Sequence, residues 1–400
     1  MRKQIFLSAL GMVNSLGNSK SEIFDNLILG KAKSIKDRDD LVLGETLKFG
    51  TVEANLPEIP APFEEYKTRC NQILLASYFQ IEDETQQAIK KYGKNRVAVI
   101  IGSSTSGIDD EKKSLENHLK QENTHPNFDY SFLEMGHPAK FMAKYLGLEN
   151  IFYSISTACS SSAKALLSAQ NLLNLGLCDA VLVGGSDILC QLVARGFYSM
   201  GAESKNGCNP FSKNRDGIML GEGSALFLMT REPSKISLLG VGESSDAHHT
   251  TAPDPTGKGA ASAMKQALEK SGLKPQDIDY VNLHGTGTKF NDSMESLAVN
   301  SLFPQTLCSS TKPLTGHNLG SAGIIEIGLC WLLLSDLNKN NQLPPHIWDE
   351  AIDPDLAPLN LVKNNCKLDT EKLSIRKLSV CLSNSFAFGG SNASVIIGKI

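Results

Sequence analysis

The residues of this chain best suited to covalent chemistry are one cysteine and two histidines, each standing where a secondary-structure element ends. Cys159 sits in Ser154-Ile155-Ser156-Thr157-Ala158-Cys159-Ser160-Ser161-Ser162-Ala163-Lys164. Residues 151–155 alternate apolar and polar side chains as a strand does, whereas Ala163, Leu166, Leu167 and Leu173 recur at helical spacing until Gly176 stops the run. Cys159 therefore falls at a helix start, where unpaired N–H groups and the positive end of the helix dipole favour an ionised sulfur. That placement predicts a thiol pKa drawn down from its usual ~8.5 toward neutrality. The competing reading is a buried, inert thiol, since free cysteine is among the most buried residue types.

Tyr280-Val281-Asn282-Leu283 reads as a strand running into His284-Gly285-Thr286-Gly287-Thr288, and Lys312-Pro313-Leu314-Thr315-Gly316-His317-Asn318 places a second imidazole just ahead of another helix. Taken singly, a histidine in such a loop is more often hydrogen-bonded structure than catalyst. A nucleophile and two histidines, all at element ends, form a more specific set. His248 and His249 do not make a metal pair, because consecutive side chains on an extended segment face opposite ways.

These residues need a scaffold, and the chain alternates strands and helices joined by glycine-rich connections, the pattern of an α/β protein with mostly parallel sheets. Residues 97–101 and 181–183 read as buried strands, and 263–271 as a short helix closed by Gly272. Residues 5–13 read as a first strand rather than a signal peptide, since Ser8 and Gly11 thin the apolar stretch and no small-x-small cleavage site follows. The most apolar helix, 324–334, contains Glu326 and is far shorter than the ~20 residues needed to span a bilayer. Residues 35–62, with the charge cluster Lys36-Asp37-Arg38-Asp39-Asp40, read as a solvated excursion. Residues 221–228 and 389–396 share a pattern of glycine turn, small residue and apolar strand, which suggests an internal duplication with its seam near 231–234.

With 400 residues, 41% hydrophobic and 20% charged, the chain can bury a large core. Its net charge of -4 provides no general attraction for nucleic acid. Nine cysteines, at 70, 159, 178, 190, 208, 308, 330, 366 and 381, form no Cys-x-x-Cys pair, which argues against a disulfide framework or a zinc ribbon and fits a reducing cytoplasm.

The ordered motifs Thr157 to Ser161, Asn214-Arg215-Asp216-Gly217, Leu220-Gly221-Glu222-Gly223, Ser245-Asp246-Ala247, His284 to Thr288, Lys312 to His317 and Asn384 to Asn392 closely resemble the β-ketoacyl-acyl carrier protein synthases. These are the condensing enzymes of fatty acid and polyketide synthesis, in the thiolase-like superfamily. The resemblance spans nearly the whole chain. Residues 155–164 and Gly328-Leu329-Cys330-Trp331 look most like the subgroup that builds aryl polyene pigments. The fold implied is a duplicated αβαβα five-layered sandwich, with residues 1–232 carrying the cysteine and 233–400 carrying both histidines.

The resemblance also implies the chemistry. Cys159 takes an acyl group from the phosphopantetheine of an acyl carrier protein; a malonyl carrier then loses carbon dioxide and its carbanion attacks the Cys159 thioester. His284 and His317 match the histidines that hydrogen-bond the malonyl thioester oxygen, and the N–H groups of Cys159 and Phe388 match the oxyanion hole. Lys312 and Glu326 match charged supporting residues that would orient His317, though an ordinary buried ion pair is as good a reading. Thr251, Thr286 and Thr288 match hydroxyls holding the pantetheine arm. Phe197 and Phe388 match aromatic residues at the acyl opening, with Gly389 letting the Phe388 loop swing. Thr105 stands where elongating relatives carry a bulkier apolar residue against the acyl tail, and 135–139 also departs from them. No metal or cofactor is implied. The expected partners are the carrier protein and a second subunit, either a copy of this chain or a chain-length-factor-like relative. The rival readings are a non-catalytic chain-length-factor-like subunit, a cysteine hydrolase with one activating histidine, and a thiolase, whose second cysteine Cys381 does not sit in a matching motif.

Overall fold

The computed structural model describes residues 4–110, 130–363 and 378–399, so Cys366 lies outside the described residues. In chain order the strands are β1 (Phe6–Val13), β2 (Ile35–Arg38), β3 (Leu47–Gly50), β4 (Val97–Gly102), β5 (Phe152–Ile155), β6 (Ala180–Asp187), β7 (Gly223–Thr230), β8 (Ile236–Ser245), β9 (Tyr280–Asn282), β10 (Leu307–Ser309), β11 (Val380–Ala387) and β12 (Ser391–Lys399). All but the β2–β3 hairpin join one sheet, ordered β10-β9-β11-β12-β8-β1-β7-β6-β4-β5. Outward from its centre each half repeats the same pattern: two antiparallel pairings, then two parallel ones. The halves meet through one paired position, Phe6 opposite Ser237. The repeat sensed at 221–228 and 389–396 is real: β7 and β12 occupy equivalent places. The sheet is mixed rather than mostly parallel, because both central pairs of each half are antiparallel.

Period-two alternation assigns each strand's side chains to two different cores. In the first half, Ala98, Ile100, Val181, Val183, Phe227 and Met229 enter a central core, while Val97, Val99, Ile101, Leu182, Leu226 and Leu228 face an outer one. In the second half, Cys381, Val395 and Ile397 point to that same central core, and Leu382, Val281 and Ile396 to a third. The central layer is built from helices Ser161–Asn174 and Ala322–Leu334. Helices Arg69–Tyr78 and His137–Tyr145 cover one outer face, and Lys258–Ser271 and Lys289–Leu302 the other. Five layers result, as expected. A helix buried from both sides must be apolar all round, which is why Ala322–Leu334 carries the most hydrophobic run in the chain.

The excursion at 35–62 differs from the reading above. Its charged residues face solvent, but Leu47 and Phe49 of the β2–β3 hairpin are buried with Leu189, Ala194 and Ile218 in a satellite core. The alternation of only two apolar positions was too short to reveal a strand. Helix Lys258–Ser271 begins five residues earlier than its apolar pattern and ends, as predicted, at a left-handed Gly272. Among the described residues, no helix is long and apolar enough to cross a membrane.

Candidate active site

Cys159 is delivered by a tight elbow between β5 and helix Ser161–Asn174. Ala158 takes φ +50°, a left-handed backbone that a non-glycine residue adopts only where its surroundings impose it. Ser161 imposes it here: its hydroxyl accepts from Thr157 N at 2.8 Å and donates to Ala158 O at 2.6 Å. His284 follows directly on the end of β9. The backbone of His317 is pinned across to the β7 approach, with its N–H donating to Met219 O at 2.7 Å and its carbonyl accepting from Gly221 N at 3.0 Å.

The fold brings these three residues together. Sγ of Cys159 and one nitrogen from each imidazole lie within 4.8 Å of one another, and all three residues are buried. The two imidazole rings stand nearly perpendicular, 5.2 Å between centroids. They form the floor of a cavity of about 680 Å³ whose walls include Phe197, Phe388, Thr251, Thr286 and Thr288. The backbone N–H groups of Phe388 and of Cys159 itself are placed to favour the ionised sulfur.

Burial pushes the Cys159 thiol up to about 11, although the Lys312 charge and the two N–H groups pull the other way. This overturns the expectation of a thiol drawn toward neutrality, because losing hydration outweighs what a helix start and a distant ammonium return. Burial, the Lys312 charge and, for His284, the neighbouring His317 hold both histidines well below their ordinary value. Both imidazoles are neutral at physiological pH, so each has one N–H to donate.

Residues 3–234 match the family described as beta-ketoacyl synthase, N-terminal domain, and residues 236–347 the beta-ketoacyl synthase, C-terminal domain. The chain belongs to the beta-ketoacyl synthase family. It is 29% identical to 3-oxoacyl-[acyl-carrier-protein] synthase 2 of Coxiella burnetii, over 100% of this chain and 99% of that one. Among solved structures it resembles the ketosynthase ApeO of Xenorhabdus doucetiae, determined in complex with its chain length factor ApeC, at 44% identity and TM-score 0.92, covering 100% and 98% of the two chains. A beta-ketoacyl synthase from Burkholderia phymatum is similar at 26% identity and TM-score 0.87 over 100% of both chains. The buried Cys159, His284 and His317 are the Cys-His-His triad of a ketosynthase, and the chain is an acyltransferase of that kind.

Lys312 and Glu326 of this beta-ketoacyl synthase sit behind the cavity floor as a fully buried ion pair, Nζ to Oε1 2.5 Å. The hydrogen bonds of the pair reach His284 and not His317, the residue it was expected to orient. Lys312 donates to the His284 carbonyl at 2.5 Å and lies 3.4 Å from its Nδ1. An ammonium can only donate, so Nδ1 accepts and the ring proton sits on Nε2. His317 has no hydrogen-bond partner on either ring nitrogen among the described residues.

Gly389 does not line the cavity; it shapes the turn that presents Phe388, with φ +82° and its N–H donating to Thr250 O at 2.8 Å. Phe388 stacks against Phe197, ring centroids 5.5 Å apart. The hydroxyls of Thr286 and Thr288 are 2.9 Å apart, and Thr251 lies exposed near His249. Thr105 is not in the cavity wall. Its hydroxyl donates to Asp187 at 2.7 Å and accepts from Ile188 N at 3.2 Å, turning the side chain into a buried polar node. His137, in the departing 135–139 segment, is buried beside Tyr66 and Phe132, away from the cavity. Cys381 is buried in the central core, not near Cys159.

The sequence reading missed Glu295 and Asp292. Both are fully buried on helix Lys289–Leu302, and Glu295 accepts from the backbone N–H groups of His284 and Gly285, each at 2.7 Å. Asp292 accepts from Phe211 N at 2.8 Å and Gly287 N at 3.3 Å. Burial raises them to about 7 and about 6. Two acids three residues apart share one helix face, directly after the His284 to Thr288 loop in sequence; that proximity was the available signal.

Proposed function

We propose that this synthase catalyses decarboxylative Claisen condensation of an acyl group on Cys159 with malonyl-acyl carrier protein, yielding a 3-oxoacyl carrier in polyene assembly. The observation that carries the reading is a buried thiol within 4.8 Å of a nitrogen from each of two buried imidazoles, with its own N–H and that of Phe388 favouring the ionised sulfur. Sγ attacks the carrier thioester, the bond to the pantetheine sulfur breaks, and the Cys159 proton ends on that leaving thiol. Malonyl carrier then loses carbon dioxide, its breaking C–C bond leaving an enolate whose oxygen accepts hydrogen bonds from His284 Nε2–H and the His317 N–H. The enolate carbon attacks the acyl carbonyl, the N–H groups of Cys159 and Phe388 hold the oxyanion, and the released Cys159 sulfur takes up one proton. Lys312 and Glu295 act through His284, one on its ring and one on its backbone.

The polyene assignment rests on the resemblance of 155–164 and 328–331 and on the 44% identity to ApeO. We read residues 1–232 and 233–400 as the two duplicated halves. A partner subunit is proposed across the free edge of β5, where Ile151 and Phe152 are 36% and 43% exposed; ApeO's pairing with its chain length factor makes a related, cysteine-lacking chain the favoured partner. The free thiols of all described cysteines support a reducing, cytoplasmic setting. The test is intact-mass analysis with polyenoyl and malonyl carriers. Wild type should gain one acyl group, lose it on malonyl addition and release 3-oxoacyl carrier, while Cys159→Ala gains none. An adduct on another cysteine, or acylation without condensation, refutes the reading.

A further inference from the structure

Behind the cavity wall, and outside the residues that line it, lies another buried imidazole, His346. Its ring sits between Phe211 and Trp348, with centroids 5.9 and 5.6 Å away. Nδ1 accepts from the backbone N–H of Ser310 at 3.1 Å, and Nε2 lies 3.0 Å from the carbonyl oxygen of Pro210. An N–H only donates and a carbonyl only accepts, so both partners require one neutral tautomer, with its proton on Nε2. Burial, which draws this imidazole down to about 4, keeps it in that form at physiological pH. The two groups it holds belong to different loops, and both loops close on Gly285, the residue after His284. Ser310 donates its hydroxyl to Gly285 O at 2.7 Å and accepts from Lys312 N at 3.3 Å. The peptide from Pro210 to Phe211 is fixed at both edges, by His346 on its carbonyl and by Asp292 on its N–H at 2.8 Å, and Phe211 is held at the left-handed φ of +62°. A Cβ on Gly285 would stand 2.5 Å from Ser310 Cβ and 3.0 Å from the Phe211 ring, so these two side chains grip the backbone beside His284 from both sides.

We propose that His346 is a positioning residue for malonyl decarboxylation: by bridging Ser310 and Pro210 it fixes the backbone at Gly285 and with it the direction of the His284 Nε2–H. The inference rests on the condensing reading above and adds a residue to it. A donor aimed at a developing oxyanion is effective only when it is set in place beforehand, and a displacement of about 1 Å can cost about 10²-fold in rate. Acylation does not draw on this link, because the His346 ring makes its hydrogen bonds to Ser310 and Pro210 and not to the elements that carry Cys159 and Phe388.

The experiment measures two half-reactions on the same protein: acylation of Cys159 by octanoyl-loaded acyl carrier protein, and carbon dioxide release from malonyl-loaded acyl carrier protein. His346→Phe keeps the ring between Phe211 and Trp348 but removes both hydrogen bonds. It should lower kcat for carbon dioxide release by about tenfold or more, with KM for the malonyl carrier and the rate of acylation each within about twofold of wild type. His346→Asn, whose Oδ1 falls where Nδ1 stood and can accept from Ser310 N–H, should recover carbon dioxide release to within about threefold of wild type. Ser310→Ala removes the link to Gly285 from its other end and should reproduce the selective loss, so the test stands even if His346→Phe does not fold. Combined with His346→Phe, it should lose less than the product of the two single effects. Equal losses in both half-reactions mark a merely structural residue and overturn the positioning role, as does undiminished carbon dioxide release in Ser310→Ala; either leaves condensation intact. If wild type is acylated but releases no carbon dioxide, the condensing reading fails and the positioning role with it.

Discussion

Replacing Lys312 with methionine should separate what the buried ion pair does for the fold from what it does for His284. Nζ lies 2.5 Å from Glu326 Oε1, with the two side chains 0% and 2% exposed. Removing it leaves a carboxylate whose other oxygen already lacks a partner among the described residues. Breaking one side of such a pair costs about 3–5 kcal/mol, and the orphaned His284 carbonyl adds about 1 kcal/mol or more. Against a stability on the order of 5–15 kcal/mol, Lys312→Met stands near the limit of folding. Glu326→Leu strands an ammonium and should lose a similar amount. The double variant removes both charges and should lose at least about 2 kcal/mol less than the sum of the singles. Urea midpoints of the four proteins measure this. Single losses that add to the double's within about 0.5 kcal/mol would refute the coupling. The folded double variant then tests the second role: without an ammonium to keep Nδ1 an acceptor, malonyl decarboxylation should fall about 10²-fold while Cys159 is still acylated.

Burial holds the Cys159 thiol near 11, so alkylation by iodoacetamide in the free enzyme should rise about tenfold per pH unit from 7.5 to 9.5; a plateau below pH 8 would show an ionised sulfur instead. The imidazoles are depressed well below their ordinary value by burial, so His284→Ala and His317→Ala should each cut condensation ~10²–10⁴-fold, and wild-type decarboxylation should show no loss from imidazole protonation down to pH 6. Glu295 is raised by burial to about 7: from pH 4.5 to 7 the folded chain keeps a proton that the unfolded chain releases, so this group makes stability fall with rising pH by about 3 kcal/mol. Denaturation midpoints of Glu295→Gln should lack that part of the slope, and parallel profiles would contradict it. Thr105→Val should cost about 1–3 kcal/mol by leaving Asp187 and Ile188 N short of a partner, with acyl selectivity unchanged; a selectivity change without destabilisation would return Thr105 to the acyl wall.

Much of the site was legible in the chain because its parts are local. Cys159, His284 and His317 each stand at the end of a short element bounded by small or glycine-rich residues, and the uninterrupted apolar runs at 97–101 and 181–183 mark buried strands wherever they pack. The glycine-turn echo at 221–228 and 389–396 exposed the duplication for the same reason. What each side chain faces was decided by the tertiary fold. The duplication brings a cysteine and two histidines from different halves within 4.8 Å, and enclosure at that depth raises the thiol that a helix start alone would lower. Lys312 could have served either histidine; in the fold its ammonium hydrogen-bonds His284, and no described residue hydrogen-bonds the His317 ring nitrogens. Thr105 was placed by sequence position against the acyl tail, yet its hydroxyl turns to Asp187, because a buried carboxylate gathers every donor within reach. Glu295 and Asp292 carry no local mark of burial in the chain; only the fold lays the His284 loop over them, its N–H groups donating to both. Sequence determines which groups are available and on which element; burial and long-range contact determine their charge, their partners and which of them share a cavity.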